Sequence, residues 1–403
     1  MLSVLSTSAS FRTALPPLTW SAWLVLSALL AGGCQTETSP GRSPATTVTV
    51  MAPSPPVIPT VTVPEPPTLA APAPLPVLPV ETNLPVVASD PAVHASDATD
   101  SAAFSWPKEW INVWLPLESW GKFNGLGSPI RLSTGTDALF QLQTSNGIVL
   151  VKMGSHTANL AGLEYGLGFP PHLIGGIPYI HSLDAQKTFQ VLMGVLLPVR
   201  GKDLTIVIDP GHGGRDSGTK SIIGRELEKD FTLDWALRVQ RLLSSSDYRV
   251  VLTRTNDIDV SLADRIVAAD RVHASLFISL HLNSGGSNRD LAGVETYCLT
   301  PTGMPSNLLR EFEDDPSAMH PNNQFDEQNV QLASRLHRSL LQATGAVDRG
   351  VRRARFMAVL RGQNRPAVLI EGGYLSNWTE ARKLANPGYR QTMAEAVAKA
   401  LLE

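Results

Sequence analysis

The chain has 403 residues, a formal net charge of −3 and an apolar content of 43%, which is ordinary for a globular protein. This length is enough for two folded domains with linkers, and the charge argues against a nucleic-acid-binding protein. With only two cysteines, Cys34 and Cys298, the sequence lacks the pattern of a disulfide-stapled scaffold.

The first segment, residues 1–34, has the pattern of an export signal. A mostly apolar run, LTWSAWLVLSALLAGG, follows Arg12 and is shorter than the ~20 apolar residues that a membrane-spanning helix needs. Small residues precede Cys34 in LLAGGC, and this stretch resembles the signal of bacterial lipoproteins, in which that cysteine is lipidated. The alternative is a plain cleaved signal peptide. Both predict export, and the first predicts a membrane-anchored lipoprotein in the periplasm or cell envelope.

Residues 35–102 are rich in proline, and the stretch APSPPVIPTVTVPEPPTLAAPAPLPVLPVETNLPVV within them carries almost no charge. This composition shows neither a helical nor a strand period and favours extended polyproline II. We therefore expect a disordered, semi-rigid tether. At about 3.1 Å per residue, such a tether carries the following domains well away from a membrane anchor.

Residues 103–201 are predicted to form a small, mixed, β-rich domain. Short β-like runs such as DALFQLQT and GIVLVKMG are broken by glycine and proline. The stretch AGLEYGLGFPPHLIGGIPYIHSLDAQKTFQVLMG resembles the N-terminal domain of copper amine oxidases. That resemblance implies a structural or wall-binding module without copper chemistry. Three histidines of this region, His156, His172 and His181, lack the spacing of metal ligands.

Residues 203–403 alternate strands with helices. We predict strands at 204–209, 248–254, 275–280, 293–299, 356–360 and 365–370, and helices at 228–244, 261–273, 326–344 and 387–402. This order predicts an α/β domain with a largely parallel, twisted sheet flanked by helices. A long acidic insert, 301–325, interrupts the alternation. Its length is typical of a functional loop, and we consider two alternatives, a lid over the site and a surface loop.

Three ionisable residues follow closely after three of the predicted strands. His212 follows the first strand, His281 the third and Glu371 the last. Ligand sites of open α/β sheets lie outside the carboxyl ends of the strands, so these side chains converge if their strands are parallel neighbours. Glu228 is a fourth candidate, because it lies on the apolar face of the helix that it begins. Alternatively, it is a first-turn acid that favours the helix dipole.

Two histidines and one carboxylate around an open position form a catalytic zinc site. Here His212, Glu228 and His281 are the candidate ligands. A further carboxylate, Glu371, can then act as the general base and later as the acid that protonates a leaving amine. The sequence therefore predicts chemistry suited to the hydrolysis of an amide.

Five stretches resemble the zinc-dependent N-acetylmuramoyl-L-alanine amidases: in order, IDPGHGGRDSG, ELEKDFTLDWALRVQRLL, LFISLHLNS, GVETYCL and PAVLIEGGYLSN. The resemblance covers residues 203–403. It implies that His212, Glu228 and His281 bind zinc and that Glu371 is the catalytic acid/base. It further implies cleavage of the amide between the lactyl group of N-acetylmuramic acid and L-alanine in peptidoglycan, for wall remodelling or daughter-cell separation. Some family members are plugged by a helix until a partner removes it, which implies an activator or regulator protein.

Four other residues are candidates for substrate contact or for support of the ligands. Asp209 is expected to fix the loop after its strand or to contact a ligand histidine, and Asn283 to position substrate or its own loop. Arg265 and Arg349 belong to stretches, ADR and DRG, that resemble family segments in which arginines shape the site. Two alternatives to the amidase stay open: another zinc peptidase of peptidoglycan, and a non-catalytic peptidoglycan-binding envelope protein.

Overall fold

The computed structural model describes residues 106–194, 204–308 and 314–403. The predicted signal with Cys34 and the predicted tether, 35–102, lie outside the described residues. Within the described ranges, no helix combines the length and the apolar character needed to cross a bilayer.

The strands fall into two sheets. Their bounds are β1 Trp114–Pro116, β2 Ile130–Arg131, β3 Leu139–Thr144, β4 Gly147–Lys152, β5 Thr157–Leu160, β6 Leu163–Gly166, β7 His172–Ile174, β8 Ile177–His181, β9 Thr205–Pro210, β10 Arg249–Leu252, β11 Leu276–Asn283, β12 Val294–Cys298, β13 Asp348–Arg353 and β14 Ala367–Tyr374. A small sheet has the order β1-β8-β7, and an 11-stranded sheet has the order β10-β9-β11-β14-β12-β13-β6-β5-β4-β3-β2.

Helices flank the large sheet. Their bounds are α1 Leu117–Phe123, α2 Ser182–Asp184, α3 Val191–Met193, α4 Glu228–Leu243, α5 Leu262–Arg271, α6 Asp326–Thr344, α7 Ala358–Arg361, α8 Trp378–Ala385 and α9 Pro387–Leu402. Short 3₁₀ turns lie at Lys108–Trp110 and Pro321–Phe325, and a π-helical segment at Ala185–Gln190 joins α2 to α3.

The strands of residues 204–403 are largely parallel. β10, β9, β11 and β14 are successive parallel neighbours, and β12 and β13 are parallel to each other. Only the β14–β12 pairing inside this part of the sheet is antiparallel. The predicted α/β fold is therefore confirmed, as a large mixed sheet flanked by helices.

Alternate residues of the central strands pack on opposite faces of the sheet. Ile206 and Ile278 belong to a buried cluster that includes side chains of α4, α6 and α9. Val207 and Phe277 belong to a second cluster, with side chains of α5 and α7. Because both faces are covered, these strands are continuous apolar runs, as the sequence indicated.

Residues 106–194, here called the N-terminal module, continue the same sheet beyond β13. Strands β2 to β6 form an antiparallel meander, and β6 then pairs in parallel with β13, with Tyr165 opposite Val351. The Tyr165 hydroxyl lies 2.6 Å from Ser334 Oγ of α6. The edge of the parallel sheet is thus covered by the preceding part of the chain. The resemblance of this region to the copper amine oxidase domain stays a prediction.

The predicted strand at 356–360 is wrong, because this part of the chain forms the short helix α7. The strand that occurs here is β13, which is missed because its sequence, DRGVRR, is charged. Arg353 is nevertheless only 2% exposed, since its guanidinium donates to the carbonyl oxygen of Lys187 at 2.5 Å. A strand that buries arginine is therefore missed when strands are predicted from runs of apolar residues.

The described parts of the insert, 301–308 and 314–325, lie at the edge of the sheet opposite the carboxyl ends of β9, β11 and β14. Because β12 runs antiparallel to β14, the chain leaves β12 at that far edge. Pro301 accepts from the Arg355 guanidinium, just after β13, and Asn322 donates to the carbonyl of Arg365, just before β14. The described parts of the insert, 301–308 and 314–325, therefore do not cover the site, and the lid hypothesis is wrong for them.

Candidate active site and metal centre

Three side chains meet at the carboxyl ends of β9 and β11. His212 Nε2 lies 3.0 Å from Glu228 Oε1, and His281 Nδ1 lies 3.1 Å from each of these two atoms. A search of the described ranges for three or more histidine, cysteine or acidic side chains that could hold a metal ion finds these three residues. The three atoms form a nearly equilateral triangle of electron-pair donors.

Glu228 is the first residue of α4 and is only 3% exposed. Its Oε1 accepts the main-chain N–H of Leu282 at 2.9 Å, and its Oε2 accepts that of Thr219 at 2.8 Å. Burial favours the neutral acid, but hydrogen bonds and charges from His212 and His281 outweigh it and lower the pKa of Glu228 well below its usual range. The carboxylate is therefore both anionic and fixed in orientation.

The loop that carries His212 needs glycine at two points. His212 itself has a φ of 61°, in the left-handed region. At Gly211, a Cβ atom would lie 2.3 Å from the His281 ring, and at Gly218, which has a φ of 62°, it would lie 2.6 Å from Glu228 Oε2. Larger side chains at 211 and 218 would push the ligand side chains aside, so the glycines permit the close approach.

Asp216 orients the imidazole of His212. Its Oδ2 lies 2.8 Å from His212 Nδ1, which leaves Nε2 directed at Glu228. Burial opposes protonation of the ring, but Glu228 and Asp216 outweigh it and raise the pKa of His212. A carboxylate on the outer nitrogen of a ligand histidine is the usual support of a metal site. Its signal in the sequence is the acidic residue four positions after His212.

Glu371 lies next to His281 across the sheet. In the parallel β11–β14 ladder the two residues are direct register partners, so their side chains point to the same face. In the antiparallel β14–β12 ladder, Glu371 faces Glu295. The three residues therefore form a row at the edge of the sheet, with the metal ligand at one end.

Comparison with known proteins identifies the family of this chain. Residues 206–403 match the family profile Amidase_3, N-acetylmuramoyl-L-alanine amidase. The chain is 31% identical over 244 residues to the probable cell wall amidase LytH of Staphylococcus epidermidis, which is 60% of this chain and 68% of that protein. The chain belongs to the N-acetylmuramoyl-L-alanine amidase family.

Other relatives match the same part of the chain. The N-acetylmuramoyl-L-alanine amidase LytC of Bacillus subtilis is 36% identical over 225 residues, and the match spans 56% of this chain and 38% of that protein. The solved structure of the amidase AmiC2 of Nostoc punctiforme is 35% identical, with a TM-score of 0.42, and the match covers 50% of this chain and 96% of that chain.

In this member of the amidase family, Asp209 and Arg265 form hydrogen bonds that fix the loop carrying His212. Asp209 is 1% exposed and accepts from Thr253, Arg265 and Ser279 at 2.5–2.7 Å. Arg265 also donates to the carbonyl oxygens of Pro210, at 2.9 Å, and of the first ligand histidine, at 2.8 Å. Of the two roles expected for Asp209, these contacts match the fixing of the loop, and Asp216 makes the contact to a ligand histidine.

Asn283 and Arg349 both meet Glu295, a buried acid to which sequence reasoning gave no role. Asn283 Nδ2 donates to Glu295 Oε2 at 3.0 Å, and Arg349 Nε donates to Oε1 at 2.9 Å. The Tyr297 hydroxyl donates to Oε2 at 2.8 Å. These contacts place both predicted candidates at Glu295, the end of the row opposite His281. The signal that was available is an acid inside the apolar strand GVETYCL.

A cleft of about 360 Å³ opens beside the triangle. Its lining includes polar side chains, among them Asp216, Arg215 and Asp259, and apolar ones, Leu262 and Val359. The cleft includes both ligand histidines in its lining. It can therefore place a ligand that is partly polar and partly apolar against the metal site.

Proposed function

We propose that this protein is a zinc-dependent hydrolase that cleaves the amide between the lactyl group of N-acetylmuramic acid and L-alanine in peptidoglycan. The observation that carries the proposal is the triangle of His212, Glu228 and His281 with Glu371 in register beside it. Its membership of the amidase family supports the same reaction.

The donor set fits zinc. Ligand atoms at 2.0–2.1 Å from a tetrahedral zinc ion lie about 3.3 Å from one another. The observed separations among His212, Glu228 and His281 are 3.0–3.1 Å, and two imidazole nitrogens with one carboxylate oxygen are typical zinc ligands. A zinc ion held here supplies Lewis-acid catalysis, since it polarises the amide carbonyl and makes water more acidic.

The chain's own residues supply the proton transfers and the geometry. Glu371 takes a proton from the attacking water and returns it to the amine of L-alanine as the amide breaks. Asp216 fixes the ring of His212, and the main-chain N–H groups fix Glu228. The cleft beside the histidines, which Arg215 and Leu262 help to line, orients the substrate.

We also propose that export and anchoring bring this chemistry to the cell wall. In this scheme residues 1–34 are a signal with Cys34 as the lipidation site, 35–102 are the tether, 103–201 are the small domain and 203–403 are the catalytic domain. The proposed location is the cell envelope, as a membrane-anchored periplasmic lipoprotein. An activator or regulator protein stays a prediction.

Product analysis tests the reaction. The full chain, with zinc, should release peptides that begin with L-alanine from purified peptidoglycan and leave lactyl-terminated glycan. Exhaustive chelation should abolish the release, and added zinc should restore it. Cuts within the stem peptide would indicate the alternative zinc peptidase, and binding without any cut would indicate the non-catalytic alternative. Activity that survives chelation would rule out the metal.

A further inference from the structure

A bulge in β13 directs Arg349 at the active-site row. At the second residue of β12 the register slips by one position, so that Arg349 and Gly350 both lie opposite Glu295. Gly350 has a φ of 92°, which favours glycine. Bulges of this kind bend the strand and re-aim a side chain. Here the result is the 2.9 Å hydrogen bond from Arg349 to Glu295, the register neighbour of Glu371.

Asp348 holds this bulge through its carboxylate. Its Oδ1 accepts the N–H of Gly350 at 2.7 Å and contacts Nε2 of the fully buried His337 at 2.9 Å. Its Oδ2 accepts the N–H of Glu164, in β6 of the N-terminal module, at 2.9 Å. The other nitrogen of His337 lies 3.0 Å from Thr296 Oγ1 of β12. One carboxylate thus joins the bulge, α6 and the N-terminal module.

Strand β6 contacts the bulge at further points. Glu164 Oε1 pairs with Arg352 Nη2 at 2.8 Å. A Cβ atom at Gly350 would lie 3.0 Å from the carbonyl oxygen of Glu164, so the two backbones are in close contact. The next residue of β6, Tyr165, makes its own buried hydrogen bond to Ser334 and contributes none of the hydrogen bonds described for Asp348.

We propose that the N-terminal module is a positioning element of the active site, and that Asp348 is the positioning residue through which it acts. Strand β6 holds Asp348, Asp348 holds the bulge, and the bulge holds Arg349 against Glu295 beside Glu371. The proposal rests on the proposed hydrolase function. It assigns to the module a role in turnover, although the module contributes none of the three candidate metal ligands.

Substitutions in the full chain separate this role from simple docking. Glu164→Pro removes the N–H that Asp348 accepts, whereas Glu164→Gln, the matched control, keeps that N–H and removes only the charge paired with Arg352. Asp348→Asn removes the carboxylate itself. Tyr165→Phe, its control, weakens the same interface but removes none of the hydrogen bonds of Asp348. None of these changes touches a metal ligand.

Turnover of peptidoglycan, zinc content and hydrogen exchange should be measured for all four variants. We expect Glu164→Pro and Asp348→Asn to lower kcat between about tenfold and 100-fold with KM and zinc content unchanged, because a small misplacement is enough for such a loss. Amide exchange should accelerate in β13 and β12 in the same two variants. Tyr165→Phe and Glu164→Gln should keep wild-type kcat, although Tyr165→Phe should unfold at lower temperature.

The outcomes distinguish this inference from the proposed function. Suppose that the wild type is inactive on peptidoglycan, but that amide exchange in β13 is faster in Asp348→Asn than in the wild type. The hydrolase proposal then fails and the structural link stands. If the wild type is active and both Asp348→Asn and Glu164→Pro keep its kcat, the positioning role is refuted. An equal loss of kcat in Tyr165→Phe would also refute it, since docking alone would then account for the effect.

Discussion

Two buried carboxylates in different regions of the molecule have the same backbone support and opposite acid–base behaviour. Glu228 in the metal centre is 3% exposed and Asp184 in the N-terminal module is 1% exposed. Each accepts two main-chain N–H groups. Burial raises the pKa of Asp184 to about 6, whereas the pKa of Glu228 is lowered.

The difference comes from the histidines. His212 and His281 direct ring nitrogens at Glu228, and the hydrogen bonds and charges from these rings overcome the effect of burial. Asp184 has two amide partners and a favourable charge from Arg353, and together they do not overcome the effect of burial. A buried acid alone is therefore a structural feature, and a buried acid on which imidazole nitrogens converge is a candidate metal ligand.

A third carboxylate gives the largest expected effect. Glu371→Gln keeps the shape of the side chain but removes the group that accepts and returns the proton. We expect kcat on peptidoglycan to fall by about 10²–10⁴-fold, the contribution typical of a general base. Zinc affinity, measured by competition with a chelating dye, should not change. Wild-type turnover in this variant would exclude Glu371 as the base.

Replacing the carboxylate by an amide at both Glu228 and Asp184 tests the comparison between these two buried acids. Glu228→Gln should lower zinc affinity by at least about 100-fold. Loss of a residue that only supports a ligand costs up to about 100-fold, and loss of the ligand itself should cost at least as much. Asp184→Asn, at a carboxylate with the same number of main-chain donors, should leave zinc affinity at the wild-type value. Equal affinities in the two variants would contradict the assignment of Glu228 as a ligand.

Asp216 should give a smaller effect on the same measurement. Without its carboxylate, His212 loses the partner that fixes its ring, and Asp216→Ala should lower zinc affinity by about 10–100-fold. Asp259→Ala is the control, because Asp259 lines the same cleft and pairs with Arg215 at 3.0 Å. A loss of affinity that is as large in the control would mean that general charge, rather than ring orientation, is responsible.

The smallest effect is a pH dependence of stability at Asp184. Its pKa rises from 3.8 to about 6 on folding, so the folded protein binds this proton more tightly than the unfolded chain does. The resulting stabilisation is present below pH 3.8 and is lost as the pH rises to about 6, by no more than about 1.4 kcal/mol per pH unit. Urea unfolding of wild type and Asp184→Asn should show their difference shifting in favour of the variant over this window. A constant difference would contradict the raised pKa.

The sequence was informative where strand direction could be inferred. His212, His281 and Glu371 could be placed together because β9, β11 and β14 are neighbouring parallel strands, each an apolar run. Helix period alone placed Glu228 on the inner face of α4. The structure brings these side chains to one edge of the sheet, as the pattern indicated.

Other features depended on information that apolar patterns do not contain. The sequence could not decide between a lid and a surface loop for the insert, because the direction of β12 is set by its pairing with β14, which the strand's own residues do not reveal. Strand β13 was missed because its sequence is charged. Its arginines can lie in the sheet because residues distant in the chain accept their hydrogen bonds. Asp216 reaches His212 only because the loop turns back through a left-handed residue.

The antiparallel direction of β12 has a practical consequence. The connection between β12 and α6 leaves the sheet at the edge remote from the metal centre, with Asn322 fastened to the carbonyl of Arg365 and Asn323 to that of Thr300. Asp315, Pro316 and Ser317 of this connection are exposed, whereas Pro301 and Met304, nearer to β12, are buried. We expect a reporter or an affinity tag inserted at the exposed residues to leave the approach of an insoluble polymer to the cleft unobstructed.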